Sequence, residues 1–370
     1  MVNQKMKMSA AVIAGLLLSV GLSAQNAPAP KKDDKKQTDE QKKEIQAVVK
    51  IADDLAAGQP AANDLGLAWG NADFMKAQGN KQYAPFTVTL DGAKTTASTL
   101  AFYWRVVSKD AAPPPAPAAD AKDAKKDDKK NPPKRPEFAY EDISFVPVMP
   151  GQAAPIRISR SLTVPAGAYD VYVTVKEPTS TQKNAPPPKT AGIKQSLTVP
   201  DFWNNELETS SVIVAQRIDP LPAPLTPQQQ IERPYALGQI EIVPVTDTKM
   251  PKKVELQTFM IVYNPKMDSM NKPDVLVEYN FCQVAAGSQP KPGEPCKAGE
   301  KFFNKTTPQA LNAQTLPPQF DVAAGHQLQA GQGVPLASFP EGEYRLEIKV
   351  TDKIANKSIT RDVNFTVSGT

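Results

Sequence analysis

Val164-Pro165-Ala166-Gly167-Ala168-Tyr169-Asp170-Val171-Tyr172-Val173-Thr174-Val175 is echoed 175 residues later by Phe339-Pro340-Glu341-Gly342-Glu343-Tyr344-Arg345-Leu346-Glu347-Ile348-Lys349-Val350. In both copies the tyrosine and three aliphatic residues alternate with mostly polar ones. A period of two buries one face of a strand. Pro and Gly just ahead of the tyrosine make a turn. A tyrosine opening a late strand after such a turn is the tyrosine corner of immunoglobulin-like and fibronectin-like sandwiches, where the hydroxyl bonds back to the chain. Tyr169 and Tyr344 are therefore expected to be structural tyrosine corners of two similar sandwiches.

Working outward, segments rich in Val, Thr and aromatic residues surround each copy. Around Tyr169 the expected strands are 85–90, 99–107, 137–148, 155–164, 168–177, 192–199 and 207–216. Around Tyr344 they are 237–245, 254–263, 274–282, 343–351 and 357–367. Strands at this spacing without intervening helices predict a mainly all-β chain of antiparallel sandwiches. Ser-Leu-Thr-Val-Pro, at 161–165 and again at 196–200, reads as a strand end in both places. Residues 219–234 are rich in Pro and Gln and read as a linker between a first sandwich at 61–218 and a second at 235–370. A length of 370 residues accommodates two such domains.

Ahead of the first sandwich the composition changes three times. Residues 1–24 read as a secretory signal peptide, with Lys5 and Lys7, an apolar run from Met8 to Leu22, and Ala24 at the cut. A single membrane anchor is the alternative, but the run is short and rich in Gly and Ser. Residues 25–38 mix Lys, Asp, Ala and Pro and cannot bury surface, so they read as a disordered tether. Ile45, Val48, Val49, Ala52, Leu55 and Ala56 lie on one helical face, which predicts a short helix within 39–60, ended by Gly58 and Pro60. The helix is short enough that it must dock or fray. A second run of mixed charge and proline, 111–136, reads as a disordered insertion in the first sandwich. A solvated loop explains it; nucleic-acid or cell-wall contact is the alternative.

Net charge is +4, and removing the two signal lysines leaves +2 for the mature chain. That balance gives no electrostatic reason to expect nucleic acid as a partner. No transmembrane span is expected in the mature form. Cys282 and Cys296 are the only cysteines, and in an oxidising compartment an isolated pair is most simply a disulfide. Zinc would need further ligands, and the chain offers one histidine, His326, in a polar loop setting. Hydrolase, P-loop, dinucleotide and calcium-loop patterns are not found. The reading is no catalytic, cofactor-binding or metal-binding residues. Acid pairs such as Asp53 with Asp54 keep a carboxylate-only hydrolase open as an alternative.

Trp104, in an alternating aromatic segment, reads as core filler. Phe202 and Trp203, in Pro200-Asp201-Phe202-Trp203-Asn204-Asn205, read equally as a contact surface or as a plug over the core.

Tyr83-Ala84-Pro85-Phe86-Thr87-Val88, Tyr140-Glu141-Asp142-Ile143, Thr198-Val199-Pro200-Asp201-Phe202-Trp203, Ser210-Ser211-Val212-Ile213-Val214-Ala215 and Arg233-Pro234-Tyr235-Ala236-Leu237-Gly238 resemble a family of uncharacterised exported bacterial proteins. Some of these stretches are similar to parts of GWxTD and von Willebrand-related envelope proteins. The chain has neither the Gly-Trp-x-Thr-Asp motif nor an Asp-x-Ser-x-Ser adhesion motif. The resemblance implies export and an immunoglobulin-like sandwich fold, and supplies no activity. The expectation is a periplasmic or secreted bacterial binding or scaffold protein, its partner a protein or an envelope polymer. A structural subunit of an envelope assembly is the alternative.

Overall fold

The computed structural model describes residues 38–110, 137–182 and 184–369. The expected signal peptide, all of the tether except Thr38, and the 111–136 insertion lie outside the described residues.

In chain order the N-terminal elements are α1 (Asp39–Ala56), β1 (Ala68–Ala72), β2 (Met75–Ala77), β3 (Lys81–Leu90), β4 (Thr99–Ser108), β5 (Tyr140–Pro147), β6 (Ile156–Val164), β7 (Gly167–Lys176) and β8 (Thr190–Val199). Then come β9 (Glu208–Thr209), β10 (Ile213–Pro220), α2 (Pro227–Glu232), β11 (Ala236–Leu237), β12 (Ile240–Pro244), β13 (Lys249–Pro251) and β14 (Glu255–Tyr263). The last elements are β15 (Val275–Val284), β16 (Glu300–Lys305), β17 (Gln309–Leu311), β18 (Leu328–Pro335), β19 (Gly342–Asp352) and β20 (Lys357–Ser368). The fold is mainly β, of sandwich type, with a short N-terminal helix.

The described chain forms two compact units, residues 38–70 with 87–201, and residues 71–86 with 202–369. In the first, β4 and β7 are the central strands of an antiparallel sheet ordered β5-β4-β7-β8, and β3 pairs with β6. In the second, one sheet runs β13-β20-β19-β15-β16 and the other β11-β12-β10-β14-β18. The connections correspond: β7 lies between β4 and β8 as β19 lies between β15 and β20, and β14 pairs with β18 as β3 does with β6. The 175-residue offset of the tyrosine strands extends to their neighbours, since Trp104 faces Val173 and Tyr279 faces Ile348. Both rings are almost fully buried, as expected for Trp104. A large buried ring on a central strand is a core anchor of a sandwich.

The tyrosine hydroxyls donate to Pro165 O at 3.0 Å and Pro340 O at 2.9 Å. Gly167 and Gly342 sit at φ +154° and +143°, a region L side chains rarely adopt, which explains the glycine two residues before each tyrosine. Tyr169→Phe and Tyr344→Phe should each destabilise their own unit by about 1 kcal/mol, through loss of one hydrogen bond. Denaturant unfolding followed separately in each unit checks this. Equal loss in both units from one substitution would refute independent corners.

Helix α1 docks. Thr38 and Gln41 form a reciprocal capping box at its start. Val48 and Ala52 are buried against Ala101, Tyr103 and Tyr172 of the β4–β7 sheet. Three polar ties, one per turn, supplement this small apolar contact. Lys176 pairs with Glu44, Thr174 Oγ1 donates to Val48 O at 3.0 Å, and Arg105 donates to Ala52 O at 2.6 Å and pairs with Asp53.

Three local readings differ from the structure. Residues 71–86 fall in the C-terminal unit, because Met75, Ala77 and Tyr83 pack with Ile213, Phe259 and Ile261 in a second core. The segment expected to be a linker carries the end of β10 and the helix α2, which starts with Thr226 as its cap and Pro227 in its first turn. Strand β18 lies where no strand is expected, because it reads Leu-Gln-Ala-Gly-Gln-Gly-Val-Pro. A Cβ at Gly331 would lie 2.4 Å from Thr258 O, so close approach to β14 demands this un-strand-like residue.

Candidate binding end of the C-terminal sandwich

Strand direction gathers four segments at one end of this sandwich. β14 ends at Tyr263 and β15 begins at Val275, paired with Asp352 at the end of β19. β18 begins at Leu328 beside Val262, and Glu208 lies beside Tyr263. Segments 202–207, 264–274, 312–327 and 353–356 therefore meet here.

The loops are held by their own polar groups. Asn205, Asn264, Asn271 and Asn356 all have positive φ, between +52° and +62°, a region in which Asn is among the best tolerated residues. Asn264 Nδ2 donates to Phe202 O at 3.1 Å and Glu206 O at 2.9 Å, and its Oδ1 accepts from Lys76 Nζ at 3.0 Å. Asp352 is buried and accepts from the backbone of Lys266, Ile354 and Ala355 at 2.7, 3.0 and 3.0 Å. Lys272 Nζ reaches across to Pro318 O and Phe320 O at 2.9 and 2.6 Å. His326 Nδ1 accepts from Asp321 N at 2.9 Å, which places the proton of the neutral ring on Nε2 and closes the 321–326 turn. The outcome is a set of loops cross-tied by hydrogen bonds.

Two open clefts lie among them and share Asn264 and Pro265. The larger, about 430 Å³, is lined by Lys76, Trp203, Tyr263, Val322, His326 and Leu328 among others. The smaller, about 370 Å³, is lined by Asn205, Leu207, Lys266, Asp352 and Lys357. Met270 and Val322 expose apolar side chains on the same loops, at 70% and 38%. Burial pushes the Tyr263 phenol well above its usual value, outweighing the opposing effect of the hydrogen bond its oxygen accepts from Lys76 N at 3.0 Å, so it stays neutral.

The two aromatic candidates divide. Phe202 is buried in the second core, its ring 5.1 Å from Tyr263. Trp203 is half-buried and lines the larger cleft, with Nε1 donating to Lys81 O at 3.1 Å and Lys76 Nζ 4.2 Å from its ring. Lys76, Asn264, Val322 and His326 belong to this face without having been singled out as a group. Lys76 lies in β2 and the other three in loops bordering strands, and no sequence pattern links them.

The other residues singled out lie elsewhere. Cys282 and Cys296 form a disulfide with Cα atoms 5.6 Å apart, bridging the hairpin of β15 and β16 at the far end of β15. Glu300 lies beside this pair, but a disulfide offers no thiolates to a metal. Tyr344 opens β19 at that same far end.

No protein-family model matches the chain, and no curated protein matches it. Among solved structures, an α2-macroglobulin of Salmonella is similar over 83% of this chain and 16% of its own, at 11% identity and a TM-score of 0.20. The native α2-macroglobulin of E. coli is similar over 84% of this chain and 15% of its own, at 8% identity and a TM-score of 0.20. A protein named pT26-6p is similar over 91% of this chain and 73% of its own, at 11% identity and a TM-score of 0.18. The chain thus spans about a sixth of the macroglobulins' length. Likenesses this distant establish no function. Among the described residues no helix is long and apolar enough to cross a membrane.

Proposed function

We propose that this chain is an exported, non-enzymatic binding or scaffold protein of the bacterial cell envelope, with the loop end of the C-terminal sandwich as its contact face. The observation that carries this is the cross-tied loop set around two clefts, presenting Trp203, Met270 and Val322. Rigid loops on a sandwich lose little entropy on binding, and an aromatic anchor supplies most contact energy. The polar groups there serve the loops: Asp352 is taken up by backbone N–H groups and His326 by the Asp321 turn. The partner is a protein or an envelope polymer. The Cys282–Cys296 disulfide supports an oxidising compartment, and hence a periplasmic or secreted location.

Retention of purified protein on immobilised envelope extract tests the contact face. Trp203→Ala should lower retention roughly tenfold, the scale of an interface anchor. Unchanged retention would remove Trp203 from the face. Export has its own check: mass spectrometry of the native envelope fraction should find Gln25 as the N-terminus, and a chain retaining Met1 would refute it.

A further inference from the structure

Asp73 lies between β1 and β2, in a corner where four segments of the C-terminal unit are tied together. The residue is 8% exposed. One carboxylate oxygen accepts from Asn71 Nδ2 and from Tyr235 OH, both at 2.8 Å. Its backbone N donates to Pro85 O at 2.9 Å. Tyr83 OH donates to Pro234 O at 2.8 Å, and Phe74 and Ser211 exchange bonds through backbone and hydroxyl at 2.9 Å. The groups that face this carboxylate are thus an amide from β1, a phenol from the segment before β11, and the β3 backbone. None is a cation. The basic side chains next in sequence to these groups have partners of their own, Arg233 bonding Glu241 and Lys76 bonding Asn264 and lying over the Trp203 ring.

A carboxylate buried among neutral donors is disfavoured in its charged form, because hydrogen bonds from an amide and a phenol replace only part of its lost hydration. We propose that the Asp73 corner is a proton-linked latch, tighter with a proton on this carboxyl than without it. Its buried position agrees with this, since burial pushes the group up to about 6, against an ordinary 3.8, while bonds from Tyr235 and Asn71 oppose the rise. The sign follows from linkage. Between those two values the folded corner holds more proton than the opened chain does. Stability is therefore greatest below the ordinary value and falls as pH rises through about 6. A mildly acid medium closes the latch and a neutral one loosens it.

Two measurements on the full chain test this. Carboxyl-carbon NMR should show Asp73 titrating near pH 6. Hydrogen exchange, corrected for its intrinsic pH dependence, should show the opening constant of residues 71–75 and 83–86 rising as pH goes from about 4 to about 7. The rise is at most on the order of a hundredfold, the ceiling for a shift of about two pKa units. In Asp73→Asn, which keeps an oxygen acceptor and cannot ionise, that rise should vanish. Titration of Asp73 near its ordinary value, an opening constant independent of pH in the unaltered protein, or the same rise in Asp73→Asn would each overturn the latch. If Asp73→Asn does not fold, the carboxyl titration of the unaltered protein decides alone.

Discussion

Arg345→Met is expected to destabilise the C-terminal sandwich by roughly 3–5 kcal/mol at neutral pH, the scale of a buried ion pair stripped of one partner. The guanidinium lies on the outer face of β19 with its side chain only 4% exposed. It donates to both oxygens of Glu300, at 2.7 and 2.6 Å, to Asp362 at 2.7 Å and to Pro295 O at 2.9 Å. Methionine fills much of the space and replaces none of these bonds, depriving Glu300, Glu347 and Asp362 of their shared cation, with Lys297 still paired to Asp362. The pH dependence gives the assignment its sign. Hydrogen bonds from Arg345 hold Glu300 below its ordinary 4.5. Burial alone would raise Asp362, but bonds from Lys297 and Arg345 outweigh it and hold the group below 3.8. A lowered folded value means stability that is present above the ordinary value and lost as pH falls through the folded one. The penalty of Arg345→Met should therefore be full at pH 7 and shrink below about pH 4. Urea unfolding at several pH values checks it; a penalty that does not change with pH would mean that packing rather than charge holds the site.

The second large effect comes from the bridge. Replacing Cys282 and Cys296 together by Ser should lower stability of the same sandwich by roughly 3 kcal/mol, as the chain-entropy model gives for a loop of about 15 residues. The bridge closes the β15–β16 hairpin, with a sequence separation of 14. That hairpin supplies Pro295 O to Arg345 and Lys297 to Asp362. The two substitutions thus share partners and should not add: the double variant should lose less than the sum of the separate losses. Reduction should move the unfolding of residues 202–369 and leave that of 87–201 in place. An equal shift of both units would contradict the division of the chain.

The periodic parts of the fold were legible. Alternation around Tyr169 and Tyr344 located both tyrosine strands, and the lone cysteine pair located the bridge. What escaped was decided by distant neighbours. Gly331 and Gly333 make β18 look like a loop until Thr258 O is seen pressed against it. Residues 71–86 carry strand propensity but no label for the core they join. At the site, Trp203 could be suspected and Phe202 could not be told apart from it, because only packing against Tyr263 sends one ring inward. Lys76 meets Trp203 from 127 positions away, a juxtaposition that no local pattern encodes.

Site-specific photocrosslinking in the native envelope tests the central claim most directly. A photoreactive side chain is placed at position 203 or 322 on the loop face, and at exposed Lys349 on the outer face of β19 as a control. The loop face predicts discrete adducts from 203 and 322 and none from 349. Adducts from 349 alone, or none from any of the three, would contradict it.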